Sequence, residues 1–281
     1  MTARADVRSS GGPSAPPFRG ATAIEALGDG RFAAELGHGF VLGPKAHGGL
    51  LMALLTKAGL ARLAGDAPGA APDPLSVAAD FLRAPALGPV ELTTEVLKLG
   101  RTTSVVAVRM SQDGTAMLTA TVTAGRLPDD PPRWTDLPDL APEPPADAID
   151  PGVGEGPLTL AGSCELRLDA RTVASERGGT GQPVVRGWVR PRDEPTDVLF
   201  AVLAGDILPP SVFNLGGTLG WAPTVQLTAL LRARPAPGWL RMESRSSAVV
   251  GPWFDEDVTV IDAAGRLVCQ ARQLALAPLA R

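Results

Sequence analysis

The sequence predicts an α+β fold built from two tandem copies of one unit, each an antiparallel sheet around a buried helix. Three observations carry that reading. Residues 76–85, SVAADFLRAP, resemble residues 224–233, TVQLTALLRA, at an offset near 150, and both read as strands ending in Leu-Arg and a proline turn. After each comes an alternating run, 90–99 or 239–249, and then a third run that turns at Gly114 or Gly265. Upstream, each copy holds one unbroken apolar stretch with helix chemistry.

Residues 1–20 contain Arg4, Arg8 and three prolines but no apolar run, so they are expected to be a disordered tail rather than a secretory signal. The first unit, 21–125, opens with short strands at 22–27 and 31–36. Its helix starts at Gly48-Gly49 and continues through 50–60, where strong helix formers are apolar nearly all round. The strand 115–124 closes the unit with period-two alternation. Residues 126–157 are about a quarter proline and largely acidic, which marks a linker. At ~3.3 Å per residue it spans about 100 Å, enough to cross the outside of a domain. The second unit, 158–281, repeats the plan with short strands at 164–168 and 184–189. Pro195-Thr196-Asp197 supplies an N-cap, 198–204 is continuous apolar helix, and Pro209-Pro210 stops it. The last strand is 266–277.

Composition excludes several function classes. The chain has 281 residues and a net charge of −4, with Lys and Arg scattered, so the electrostatic footprint of a nucleic-acid binder is missing. No apolar run approaches the ~20 residues of a membrane span. Cys164 and Cys269 lie far apart with no ligand-spaced partner, which argues against zinc, a disulfide scaffold or a redox motif and favours a reducing cytoplasm. With only His38 and His47, no Gly-x-Ser-x-Gly elbow, no phosphate loop and no dinucleotide fingerprint, neither a serine esterase nor a nucleotide-dependent enzyme is expected. No metal or other cofactor is implied.

Ala46-His47-Gly48-Gly49 before the first helix, Phe81-Leu82-Arg83-Ala84-Pro85, Asp206 after the second helix, and the strands 223–228 and 272–276 together resemble the acyl-CoA thioesterase II type of the thioesterase-like superfamily. The resemblance covers nearly everything beyond residue 20 and implies a double hotdog fold. It also implies an enzyme that hydrolyses acyl-CoA thioesters without a covalent acyl-enzyme, in which an Asp, a Thr or Ser, and a Gln of the second hotdog bind the attacking water. By position these fall on Asp206, Thr224 and Gln273. Acyl-CoA is the implied partner, and further association into a homo-oligomer is implied as well. Where family members often carry Asp-His shortly after the Thr, this chain has Gln226-Leu227, and Thr228 offers a second hydroxyl. Which threonine faces the site stays open.

Each candidate also has a plainer reading. Asp206 could merely cap a turn, yet a carboxylate at a helix C-terminus opposes the macrodipole, and dipole and burial together raise its pKa toward that of a general base. Thr224 could serve strand packing. Alternation puts Gln273 on one face with Ala271 and Ala275, and that face could be solvent. An amide suits water binding because it both donates and accepts without titrating. His47, Gly48 and Gly49 could present helix N-terminal amides to a thioester oxygen or a CoA phosphate, or could let a neighbour pack closely. Arg83 and Arg232 end equivalent strands and could meet CoA phosphates.

The competing function is a non-catalytic acyl-CoA or acyl-carrier binding module. A hotdog hydratase is weaker, because Asp206 is followed by Ile207-Leu208-Pro209-Pro210 with no His. One functional site per chain is expected, because the counterparts of Asp206 and Gln273 in the first half fall near Thr56-Lys57 and Val122-Thr123, none of them a carboxylate or an amide.

Overall fold

A computed structural model describes residues 17–66, 73–151, 158–159, 163–216 and 220–278. In chain order the first half contains α1 (Phe18–Ala21), β1 (Glu25–Gly28), β2 (Arg31–Leu36), β3 (Val41–Leu42), β4 (Lys45–Ala46), α2 (Gly48–Asp66), β5 (Asp73–Phe81), β6 (Gly88–Lys98), β7 (Ser104–Gln112) and β8 (Thr115–Gly125). The second half contains β9 (Leu158–Thr159), β10 (Cys164–Leu168), β11 (Val184–Pro191), α3 (Val198–Ala204), β12 (Thr224–Leu231), β13 (Leu240–Arg245), β14 (Val249–Val250), β15 (Trp253–Ile261) and β16 (Leu267–Leu276). Two short 3-10 turns, Ser175–Arg177 and Ser211–Leu215, complete it.

One antiparallel sheet runs through both halves in the order β1-β2-β6-β7-β8-β5-β12-β16-β15-β13-β11-β10, with β14 on β15. Within this sheet the halves join at β5 with β12, where Ala78 stands opposite Thr228, and a small second sheet, β4-β3-β9, also pairs β3 of the first half with β9 of the second. Matching bulges between Pro74 and Ser76 and between Thr224 and Gln226 make residues 150 apart equivalent, two residues off the alignment of Ser76 with Thr224. Outward from the seam, β8, β7, β6, β2 and β1 on one side mirror β16, β15, β13, β11 and β10 on the other.

α2 packs on β5 to β8, and α3 packs on β12, β13 and β16. Both helices also touch each other. The even apolarity of α2 follows from this enclosure: Leu50 to Leu55 are all 2% exposed or less, with sheet on one side and α3 on another. α3 begins where the sequence places it, with Asp197 Oδ1 accepting the Phe200 N–H at 2.8 Å.

Three expectations need correction. Residues 1–16 lie outside the described residues, but 17–20 are no tail: α1 buries Phe18 edge-on against Phe40 and Phe200, with ring centroids 5.8 and 5.2 Å away. One aromatic anchors an otherwise polar segment. The first short strand is Glu25–Gly28, because Thr22 closes α1 by donating to the Phe18 carbonyl at 2.9 Å. The alternating run 239–249 breaks after Arg245, where the Asp255 carboxylate accepts the Ser247 and Ala248 N–H groups and turns the chain into β14.

After β8 the chain crosses the outer sheet face of the second half. Leu127 N–H donates to Asp73, the Leu140 and Ala141 carbonyls accept from Arg241 and the Trp188 indole, and Ile149 pairs with Leu168 of β10. Trp188 is only 2% exposed beneath this strap.

Candidate active site

His47, Gly48, Gly49 and Asp206 meet where the start of α2 faces the end of α3. Asp206 follows α3, and its N–H donates to the Leu203 carbonyl at 3.0 Å. A β-carbon on Gly48 would lie 2.6 Å from Asp206 Oδ2, and one on Gly49 would lie 2.8 Å from the Leu203 carbonyl oxygen. Only glycines let the two helix ends come this close. The close-packing reading of Gly48-Gly49 therefore holds, and it also brings the first-turn amides of α2 to the carboxylate.

The Asp206 side chain is 9% exposed. Burial raises its pKa to about 7; the charge of Glu256 adds to this, and the Gly49 N–H opposes it. His47 Nδ1 lies 3.8 Å from Asp206 Oδ2 and accepts the Gly49 N–H at 3.1 Å. Burial lowers the His47 pKa to about 4, so the ring is neutral near pH 7, with its proton on Nε2 because Nδ1 accepts.

Gln273 is on the inner face of β16 with Ala271 and Ala275, as alternation predicts, and is buried rather than solvated. Its Oε1 accepts from Thr224 Oγ1 at 2.7 Å. A bulge decides between the two threonines. β12 carries one between Thr224 and Gln226, so Thr224 pairs with inward Ala275 while Gln226 and Thr228 pair with outward Leu274 and Arg272. Thr228 accordingly bonds Gln226 on the outer face, away from Gln273.

Glu256 completes the group, and no sequence motif points to it. It stands opposite Gln273 in the β15–β16 ladder, is 2% exposed, and accepts from Gln273 Nε2 at 2.6 Å and from the Ser211 N–H at 2.7 Å. Burial pushes its pKa up against these donors. Period-two reading puts Glu256 on the stripe of Phe254, Val258 and Val260, and an acid on an apolar stripe is the signal that could have found it.

Arg83 is exposed near the start of β12 and donates to the Ala116 carbonyl. Arg232 follows the far end of β12 and is not brought to this group. Among the described residues, no group of three or more His, Cys, Asp or Glu could hold a metal ion, and no helix is long and apolar enough to cross a membrane.

The fold is of hotdog type, and comparison with known proteins gives the family. Residues 39–125 match the acyl-CoA thioesterase N-terminal domain and residues 128–277 the acyl-CoA thioesterase C-terminal domain. The chain belongs to the acyl-CoA thioesterase family. Uncharacterised proteins of Mycobacterium tuberculosis and Mycobacterium bovis are 40% identical to it over 268 residues, covering 88% of this chain and 91% of theirs. A crystal structure provisionally described as a thioesterase II from Thermobifida fusca has a TM-score of 0.82 at 35% identity, covering 93% of this chain and 97% of that one. A hotdog-fold protein of unknown function from Alicyclobacillus acidocaldarius, with a TM-score of 0.78 at 23% identity over 93% of this chain and 98% of its own, shares the fold. So does an acyl-CoA thioesterase II from Mycobacterium marinum, with a TM-score of 0.65 at 16% identity over 92% of this chain and 96% of its own.

Proposed function

We propose that this chain is a double hotdog thioesterase that hydrolyses acyl-CoA to free acid and CoA, using a water activated by Asp206. The observation that carries the reading is a buried carboxylate titrating near neutral pH beside helix N-terminal amides, in the same half as the Thr224–Gln273 hydrogen bond. Thr224 and Gln273 hold the water. Asp206 takes its proton as the water oxygen attacks the thioester carbonyl, and the positive N-terminal end of α2 at Gly48 faces the developing oxyanion. The C–S bond then breaks with its electron pair on sulfur. The proton on Asp206 passes to that sulfur, leaving acid and thiol.

The test is thiol release from acyl-CoAs of graded chain length. Turnover that is lost in Asp206→Asn supports the reading. Saturable acyl-CoA binding without thiol release replaces it with a binding module. Buried Cys164 and Cys269 suit a reducing cytoplasm. The outer face at the β5–β12 seam, where Leu230 and Leu274 are each 41% exposed, supports a homo-oligomer. A monomeric mass by light scattering at micromolar concentration would remove that part.

A further inference from the structure

We propose that Glu256 is a positioning residue for this hydrolysis: it fixes which way round the Gln273 amide is held. The inference rests on the reading above. An amide side chain offers donors at one end and an acceptor at the other, so it can bind water in two opposite senses unless its neighbours choose one. Both oxygens of Glu256 act as acceptors here. Glu256 Oε1 takes the Ser211 N–H and Oε2 takes the Gln273 NH₂, at 2.7 and 2.6 Å. The Gln273 carbonyl must then face Thr224, whose hydroxyl donates to it at 2.7 Å. Once that proton is spent, the lone pairs of Thr224 Oγ1 are left to accept from water, and Gln273 keeps one N–H and one lone pair.

Burial gives the second line of argument. Glu256 is 2% exposed, and the Ser211 N–H and Gln273 NH₂ that it accepts from are neutral, while Asp206 adds a like charge. Keeping an acid there is costly. If it served only to hold the Ser211 N–H, a neutral acceptor would do as well. Glutamine at 256 separates the two roles. Its carbonyl can still take the Ser211 N–H, but its NH₂ then meets the NH₂ of Gln273 and forces one amide to flip.

Glu256→Gln is therefore expected to keep the fold and to lower kcat about tenfold or more, the scale of one lost charge-assisted hydrogen bond, while KM changes less than about twofold. In a Gln273→Ala background the same change should lower kcat by less than about twofold, since the group it acts through is gone. Normal kcat in Glu256→Gln, or a full additive loss in the double variant, overturns the proposal.

A second measurement is independent of turnover. The side-chain amide protons of Gln273, assigned by their disappearance in Gln273→Ala, should include one that is shifted downfield and protected from exchange in the wild type, and that loses both properties in Glu256→Leu. Exchange of both protons at the rate of a surface glutamine in the wild type overturns the proposal even if neither Glu256 variant folds. Absence of thiol release from the wild type would defeat the thioesterase reading, and the amide spectrum would then decide the position of Glu256 alone.

Discussion

The two halves place different side chains on the same backbone. At the seam, Leu227 pairs with Gln273 and Val77 with Val122, so Val122 is the counterpart of Gln273. One strand further out, Val106 opposes Val122 as Glu256 opposes Gln273. Thr224 corresponds to Pro74, and β5 has its bulge between Pro74 and Ser76, in the place where β12 has its own. Asp206 corresponds to Thr56, which is fully buried and returns its hydroxyl to the Met52 carbonyl at 2.7 Å. Val106 and Val122 are both 0% exposed, and a β-carbon on Gly59 would lie 3.1 Å from Val122. The first half has closed over with ordinary core packing. The second keeps Asp206, Thr224, Glu256 and Gln273 at the corresponding places, and burial raises the pKa of both carboxylates.

The largest expected effect is the loss of the Asp206 charge. Asp206→Asn should lower kcat by ~10² to 10⁴, the usual scale for a general base. In the wild type, kcat/KM should fall as pH drops below about 7, where Asp206 takes up its proton. Stability has the opposite sense. The folded carboxyl holds its proton more tightly than the unfolded one, so this group's contribution is complete below about pH 4 and is lost as pH rises to about 7. Asp206→Asn should accordingly melt higher than the wild type at pH 8. A lower melting temperature would return Asp206 to a turn-capping role.

Next is the transplant that breaks the comparison. Val106→Glu puts the acid of the second half into the first, where its cross-strand neighbour Val122 has no donor to offer. A loss of about 3 kcal/mol or more in urea unfolding is expected. A near-neutral result would mean that the first half still has polar partners or water beneath its sheet.

Titration with a non-hydrolysable acyl-CoA analogue should then give one molecule per chain by calorimetry. Two equal sites would show that the packed half opens to ligand. The smallest effect sharpens the bulge. Thr224→Val should reduce kcat about tenfold by removing one hydrogen bond to the Gln273 amide. Thr228→Val, on the outer face, should leave kcat within about twofold, and equal losses in both would contradict the register.

Most of the fold was legible because its pattern is periodic. The repeat located the seam strands, α3 occupies residues 198–204 as read, and alternation put Gln273 with Ala271 and Ala275. Thr224 and Thr228 were not separable, since both have the same parity in sequence and only the bulge turns them to opposite faces. A bulge has no alternation signature, because it is a break in alternation. Glu256 was not singled out: it lies in Asp255-Glu256-Asp257, and three acids in a row mask the one that faces inward. Phe18 was lost among prolines and glycines for a similar reason: one contact residue leaves no period. The reach of the linker followed from its length. Its course depended on Trp188 and Arg241, far along the chain.

The strap over the second half also governs what can add to the sheet. A continuous sheet ends in two rows of unpaired backbone groups, each a template for a foreign strand. At the β10 end, Ile149 exchanges both backbone hydrogen bonds with Leu168, at 2.8 Å each, so the chain's own connector occupies that border. At the other end β1 is four residues long with irregular pairing between Ala26 and Gly28, too short and too bent to template much. The segment that links the copies thus also guards the longer border, and a chain cut in the strap should become prone to aggregate before it loses its core.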